Sequence, residues 1–494
     1  METLYEGLLA YTRQDIYPFH MPGHKRNPTF QPPALLGMDI TEIPGADNLN
    51  HPDGVLRRLQ ERFAHLLGAE ESLFTVNGST CGNLAAITAV CGGGKLIMAR
   101  NAHRSAYGAL ALTDVQPVYV QPCLTPYGFC GGVPASAVIS ALDANPDACA
   151  VFITSPTYEG IVSDVPAIAN AAHARGIPLV VDEAHGAHFA LHAAFPKGAL
   201  ACGADIVIHS LHKTLPFLSQ TALLHMQGKL VNRERVRQML SILQTSSPSY
   251  LLMAQADYAL SRLERDGGAL LEAYVEGLNG FRREAALLSG IRLLQKDWIA
   301  ASEPTARAKN ERFERSPLQA QHHDLDPGKL VFLTPDSLPG AVFEDKLLSV
   351  YKLQLEMSGQ RHAIAMTSPA DTPEGFARLQ AALHAIDKTI DNPVHTSVTS
   401  INAPLGKAAC TIRQALRLPT ENVPLTEAEN RIAAAFLIPY PPGIPAAAPG
   451  ERLSPAVLSH IRLCVQNSIP VLGLGHTLNT LPVLRRGAEK EIVL

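Results

Sequence analysis

Ile206-Val207-Ile208-His209-Ser210-Leu211-His212-Lys213-Thr214-Leu215 begins as an apolar run and ends as a cluster of hydroxyls, imidazole and amine. The run Ile206-Val207-Ile208 reads as a short buried strand. A lysine just past the end of such a strand sits where α/β sheets place their ligands. The hydroxyls and the histidine around Lys213 suit an anionic phosphate. A lysine amine can form a Schiff base, and partial desolvation lowers its pKa enough for it to act as a nucleophile. Taken alone, S-x-H-K-T also describes a solvated loop lysine, so the flanking sequence has to choose between the two.

Upstream, Leu179-Val180-Val181 reads as another strand, ending in Asp182-Glu183-Ala184-His185-Gly186-Ala187-His188. Residues 148–154 form a third, residues 95–99 a fourth that runs into Arg100-Asn101-Ala102-His103, and Val118-Tyr119-Val120 a fifth. Ser72-Leu73-Phe74-Thr75-Val76 leads into Asn77-Gly78-Ser79-Thr80-Cys81-Gly82-Asn83 and then a helix-like 84–90. A strand, a turn of small residues and a helix make an anion site, because the free N–H groups and the dipole of the first helical turn favour negative charge. The turn is neither G-x-x-x-x-G-K-[ST] nor G-x-G-x-x-G, so a single phosphate fits better than a triphosphate or a dinucleotide. Short apolar strands alternating with helices predict an α/β fold with a mainly parallel sheet covered on both faces.

The chain has 494 residues and 46% hydrophobic content, enough for two or three cored domains. Net charge is −4 and there is no basic stripe, which argues against nucleic acid as a partner. No secretory signal and no apolar run of membrane-spanning length is visible, and the eight cysteines are scattered without a C-x-x-C. These features predict a cytoplasmic protein with reduced thiols, away from membranes. Residues 1–55, rich in proline, read as an arm, and residues 56–300 as the large α/β unit. Residues 301–392 read as a smaller α/β unit and residues 393–494 as a C-terminal one. Helical spacing covers 229–243 and 251–290, separated by the hydroxyl-rich Gln244-Thr245-Ser246-Ser247-Pro248-Ser249-Tyr250. In the smaller unit, helices over 343–353 and 372–390 flank a strand near 363–367.

The strand-end residues are Ser79, Thr80, His103, Asp182, His185, Ser210, His212 and Lys213. Pyridoxal phosphate needs such a set. Its aldehyde takes a lysine, its ring nitrogen a carboxylate, its phosphate hydroxyls and N–H groups, and its ring a stacking partner. Asp182 precedes Lys213 by 31 residues with one strand between them, which suits two adjoining strand ends.

Seven stretches together resemble the Orn/Lys/Arg decarboxylase family of fold-type-I pyridoxal phosphate enzymes. They are Phe19 to Lys25, Gly78-Ser79-Thr80 with Gly82-Asn83, Arg100-Asn101-x-His103-x-Ser105, Asp182-Glu183-Ala184-His185-Gly186, Ser210-x-His212-Lys213-Thr214-Leu215, Thr245 to Tyr250, and Tyr440 to Pro445 with Pro449-Gly450-Glu451. The chain is similar to the short form of the family, without the N-terminal wing of the long enzymes. Pro404-Leu405-Gly406-Lys407 departs from the more aromatic stretch that many relatives carry there.

The resemblance implies a pyridoxal 5'-phosphate cofactor bonded to Lys213, with Asp182 at its ring nitrogen and His103 stacked on the ring. Ser79, Thr80, Ser210 and His212 would bind the phosphate. Ala184 and His185 would line the other face and the phenolic oxygen. Ser247 would reach the phosphate of a partner subunit, which implies a homodimer or a higher homo-oligomer. The implied reaction is decarboxylation of a basic amino acid, arginine first and then lysine or ornithine, feeding polyamine synthesis. A basic substrate needs a carboxylate for its distal cation. Glu356 resembles the family's small-domain glutamate, while Glu451, Asp39, Glu42 and Asp47 stay open as alternatives. The competing reading is a fold-type-I aminotransferase, for which Arg361 would be the arginine that binds the α-carboxylate; a non-catalytic relative is a third.

Overall fold

The computed structural model describes residues 13–30, 40–43, 46–299, 324–391, 393–396, 407–440, 444–466, 469–475 and 479–488. Its largest sheet has seven strands: β1 (Glu71–Thr75), β2 (Lys95–Ala99), β3 (Gln116–Val120), β4 (Ala148–Thr154), β5 (Leu179–Asp182), β6 (Ile206–Ser210) and β7 (Ala222–Met226). They lie in the order β1-β7-β6-β5-β4-β2-β3. Every pairing is parallel except the two made by β7. The sheet is therefore mainly parallel, as the alternating pattern predicts. The antiparallel β7 was not expected from the sequence. Its Ala-Leu-Leu-His-Met run has no turn signal on its N-terminal side other than Ser219-Gln220, with Gln220 at φ 74°.

β5, β6 and β7 are buried along their whole length because helices cover both faces of the sheet. On one face Ala85, Ile87, Leu110 and Leu240 pack over Phe152, Val180, Ile206 and Ile208. On the other Val138, Leu142, Val165 and Ile168 pack over Val151, Ile153, Val181 and Val207. Neighbouring residues of one strand thus feed opposite cores, as the pleat requires. Each fully buried Val, Leu or Ile contributes roughly 1.5–3 kcal/mol.

β1 and β2 are consecutive in the chain yet five positions apart in the sheet. The helix Gly78–Val90 crosses between them, a topology in which ligands bind outside the carboxyl ends of the strands. This helix starts at Gly78, earlier than the spacing suggests, and so takes Ser79 and Thr80 into its first turn.

A second, antiparallel sheet joins Arg292–Leu293, Lys329–Leu333, His362–Met366 and Met357–Ser358. The helix Tyr250–Ala285 spans both layers. Its first half (Met253, Ala256, Leu260) packs on Leu56, Leu59 and Phe63 beside the large sheet. Its second half (Leu278, Phe281) packs on Leu330, Phe332 and Leu379. The described part of the arm lies on its own chain. Tyr17–Phe19 pairs with Leu353–Leu355, and the Gly23 N–H donates to the His212 carbonyl at 2.6 Å. A side chain at Gly23 would meet the Leu215 carbonyl at 2.7 Å, which is why a glycine stands where the arm crosses the lysine loop. In the C-terminal part, Thr420–Pro424 pairs with Thr480–Leu484 beside the helix Pro455–Gln466. Among the described residues, no helix is long and apolar enough to cross a membrane. The polar stretch 300–323 and residues 397–406 lie outside the described residues.

Candidate active site

Lys213 sits on the single helical turn Leu211–Thr214 that follows β6. Its Nζ is 3.0 Å from His185 Nε2. Burial lowers its pKa, while Asp182 and Glu356 push the other way. Asp182 ends β5, the neighbouring parallel strand, in register with Ile208. The two groups therefore stand at the same edge of the sheet, as the strand pattern suggested. Asp182 is 3% exposed. Its Oδ2 accepts from Asn83 Nδ2 at 2.7 Å and its Oδ1 from the Ala184 N–H at 3.1 Å. No Lys, Arg or His side chain among the described residues makes an ion pair with it.

Asn83 also donates to Ser105 Oγ at 3.0 Å, and that hydroxyl is 2.8 Å from His103 Nδ1. His103 Nδ1 also accepts from the Ser105 N–H and caps the helix Arg104–Leu112. Asn83 thus links the His103 turn to the Asp182 carboxylate. It belongs to the family-like Gly82-Asn83 pair, but sequence reasoning gave it no role.

The Ser210 hydroxyl donates to Ser79 Oγ at 2.7 Å, which joins the lysine turn to the first turn of Gly78–Val90. Thr80, one residue on, is exposed. His212 Nδ1 lies 3.1 Å from the Thr221 carbonyl, and burial pushes its pKa down to about 4. Ala184 is buried directly after the Asp182 loop begins. Ser247 is exposed; its N–H donates to Thr245 Oγ1, and the Thr245 N–H donates to Asn77 Oδ1.

Of the five candidate carboxylates, Glu356 joins the cluster. It accepts from the Met21 N–H at 2.7 Å and from the Tyr158 hydroxyl at 2.5 Å, and the Tyr158 ring lies 4.8 Å from that of His185. Glu451 is taken by Arg100, in a two-pronged pair of 2.6 and 2.9 Å that is 2–3% exposed. Asp47 caps the helix Val55–Leu67, accepting from the N–H groups of Gly54 and Leu56. Glu42 lies half-buried in the arm, and Asp39 falls outside the described residues. Arg361, the aminotransferase candidate, is paired with Asp336 and bonded to Thr396.

Sequence reasoning missed Tyr158 and Lys329. Lys329 Nζ lies 2.7 Å from His185 Nδ1. Asp326-Pro327-Gly328-Lys329 reads as an ordinary turn before a strand, and nothing in it marks a buried amine.

An amine and a buried carboxylate that makes no ion pair among the described residues, at adjoining strand ends beside paired hydroxyls at a helix start, provide the groups that pyridoxal phosphate requires. With one antiparallel strand in an otherwise parallel seven-stranded sheet, the fold is that of the fold-type-I pyridoxal phosphate enzymes. Residues 2–345 match the family model described as Orn/Lys/Arg decarboxylase, major domain, and residues 394–470 match that family's C-terminal domain. The chain belongs to the Orn/Lys/Arg decarboxylase family and is a pyridoxal-phosphate-dependent amino-acid decarboxylase. It is 30% identical over 482 residues to the arginine decarboxylase of Bacillus subtilis (strain 168), covering 95% of each chain. It is 35% identical over 466 residues to the uncharacterized protein YaaO of the same strain, covering 91% of this chain and 92% of that one. Among solved structures, the Francisella novicida lysine decarboxylase LdcF superposes with a TM-score of 0.76 at 20% identity, over 98% of this chain and 81% of that one. That likeness bears on the fold.

Proposed function

We propose that this chain decarboxylates arginine to the corresponding amine and CO2, with lysine and ornithine as poorer substrates, and that the product feeds polyamine synthesis. The observation that carries the reading is the placement of Lys213 and Asp182 at adjoining strand ends with the Glu356 carboxylate in the same cluster. The arginine preference is supported by relatives named arginine decarboxylase, 29–30% identical over 95–98% of this chain.

Bound pyridoxal phosphate supplies an electron sink for the charge left at Cα when CO2 departs. Lys213 is the residue that would hold the cofactor through its aldehyde. Asp182, anchored by Asn83, would hold a proton at the ring nitrogen. Ser79, Thr80, Ser210 and His212 would hold the phosphate, aided by the free N–H groups of the first turn of Gly78–Val90. His103 would pack on one face of the ring, and Ala184 and His185 would line the other. Glu356 receives the substrate's distal cation, which would otherwise be buried unpaired at high cost.

The exposure of Ser247 is compatible with its reaching a partner subunit's phosphate, so the reading includes at least a homodimer, checked by the mass of the protein in solution. It also includes a cytoplasmic location, checked by cell fractionation, and the division into arm, large unit, smaller unit and C-terminal unit. The pairing of Arg361 with Asp336 leaves the aminotransferase reading without a free arginine at that position.

The test is product identification after incubating the purified protein, with pyridoxal phosphate, separately with arginine, lysine and ornithine. Amine from arginine at the highest kcat/KM is expected. No amine from any of the three, or a 2-oxo acid formed only with 2-oxoglutarate, would refute the reading.

A further inference from the structure

Cys91 and Cys149 bring their sulfur atoms within 2.6 Å of each other. They stand 58 residues apart in the chain, and neither belongs to the cofactor cluster. Cys91 directly follows the helix Gly78–Val90, and its N–H closes the last turn on the Ile87 carbonyl at 3.0 Å. Cys149 is the second residue of β4.

The strand pairing explains why the two thiols meet. Between β2 and β4, Lys95 stands opposite Ala148 and Leu96 opposite Ala150, so Cys149 is an extra residue on β4, a β-bulge. Along an unbroken strand, side chains alternate between the two faces. From Ala150 onward β4 does so. Ala150 and Phe152 pack in the core that includes Ala85 and Ile87 of the helix Gly78–Val90, while Val151 and Ile153 pack in the opposite one. Continued backwards, the alternation would put Cys149 with Val151. The bulge breaks it, and Cys149 packs on the helix side, against the core that holds Cys91. A bulge re-aims a side chain; here it turns one thiol onto another.

The two thiols differ in access. Cys91 is 1% exposed, whereas Cys149 is half-buried. Both lie towards the amino-terminal edge of the sheet. Thr154, at the end of β4, is level with Asp182. Cys149 precedes Thr154 by five residues, about 17 Å of strand. The pair is therefore remote from Lys213 and Asp182.

We propose that Cys91 and Cys149 are a reversible disulfide site, oxidised by a small organic disulfide, and that the bond staples the end of the helix Gly78–Val90 to β4. Cys149, the half-buried thiol, loses its proton and attacks one sulfur of the organic disulfide. The reagent's S–S bond breaks, one half leaves as a thiolate that takes up the proton, and the other half stays on Cys149. Cys91 then loses its proton and attacks Cys149 Sγ, and the second half leaves as a thiolate that takes up that proton. Two protein thiols are oxidised to one disulfide, and one organic disulfide is reduced to two thiols. A cross-link over 58 residues restricts the unfolded chain and so stabilises the fold. The helix it pins carries Ser79 and Asn83, the anchor of Asp182, nearer its other end. The proposal does not depend on which amino acid the enzyme takes.

The test treats the holoenzyme with oxidised glutathione, blocks the remaining thiols with iodoacetamide in urea, digests without reduction and reads the disulfides by mass spectrometry. A linked Cys91–Cys149 peptide is expected, with a Tm about 5 °C above that of the reduced enzyme and a return to the lower Tm in dithiothreitol. Cys91→Ser and Cys149→Ser should each lose that shift while keeping the decarboxylase activity of the reduced wild type. Glutathione left on Cys149 without a link to Cys91, or neither thiol modified, overturns the site. A linked peptide with an unchanged Tm overturns the staple. Should a serine variant not fold, the linked peptide and the Tm of the wild type still decide.

Discussion

Asp182 and Lys213 leave neighbouring parallel strands at one edge of the large sheet, Asp182 in register with Ile208 and the lysine five residues beyond it. Neither position depends on a flexible element. β5 and β6 are buried throughout, and the aspartate is anchored by Asn83 from the crossing helix Gly78–Val90. Buried, paired strands therefore hold the acid and the amine at adjoining strand ends.

Replacing Asp182 by Asn removes the charge at the ring nitrogen while keeping an oxygen for Asn83. The expected outcome is a loss of kcat of about 100-fold or more with an unchanged circular dichroism spectrum. A loss of under about threefold would show that the carboxylate does not serve the ring.

Glu356 and Glu451 should separate cleanly. Glu451 forms a buried two-pronged pair with Arg100, so Glu451→Gln strands a buried guanidinium and should cost roughly 3–5 kcal/mol of stability. Glu356→Gln keeps an acceptor for the Met21 N–H and turns a donor N–H to the Tyr158 hydroxyl oxygen, which can accept, so it should leave stability within about 1 kcal/mol. It should raise KM for arginine by about tenfold or more. Urea unfolding and steady-state kinetics on both variants check this, and the reverse pattern would contradict the assignment of Glu356.

Much of this arrangement is legible in the residues themselves. β2 and β4 have the bounds that their apolar runs suggest, while β5 and β6 run one and two residues past theirs, to Asp182 and Ser210, with His185 and Lys213 just beyond. β7 is less visible because a short apolar run does not report its direction, which depends on the tertiary pairing with β1 and β6. Lys329 is invisible for a different reason. Its burial depends on Gly160 and His185, which precede it by well over a hundred residues, and no local pattern encodes that meeting. The competing carboxylates were equally indistinguishable in sequence, because only the fold shows that Glu451 meets Arg100 and that Asp47 caps a helix.

His362 should make the protein acid-labile. It is buried on the second sheet with its ring 4.9 Å from that of Phe129, and neither ring nitrogen has a hydrogen-bond partner among the described residues. Burial pushes its pKa down to about 4, against about 6.5 in an unfolded chain. Between those values the unfolded state binds the extra proton, so stability is full above about pH 6.5 and declines as pH falls towards 4. Relative to wild type, His362→Met should gain about 1 kcal/mol on going from pH 7.5 to pH 5.5. Urea unfolding at the two pH values measures it, and an equal difference at both would refute it.

The most direct test of the Lys213 assignment is chemical. The protein loaded with pyridoxal phosphate is reduced with borohydride, digested, and its peptides are sequenced by mass spectrometry. The phosphopyridoxyl group is expected on Lys213. Its appearance on another lysine, Lys329 included, or on none, would contradict the account.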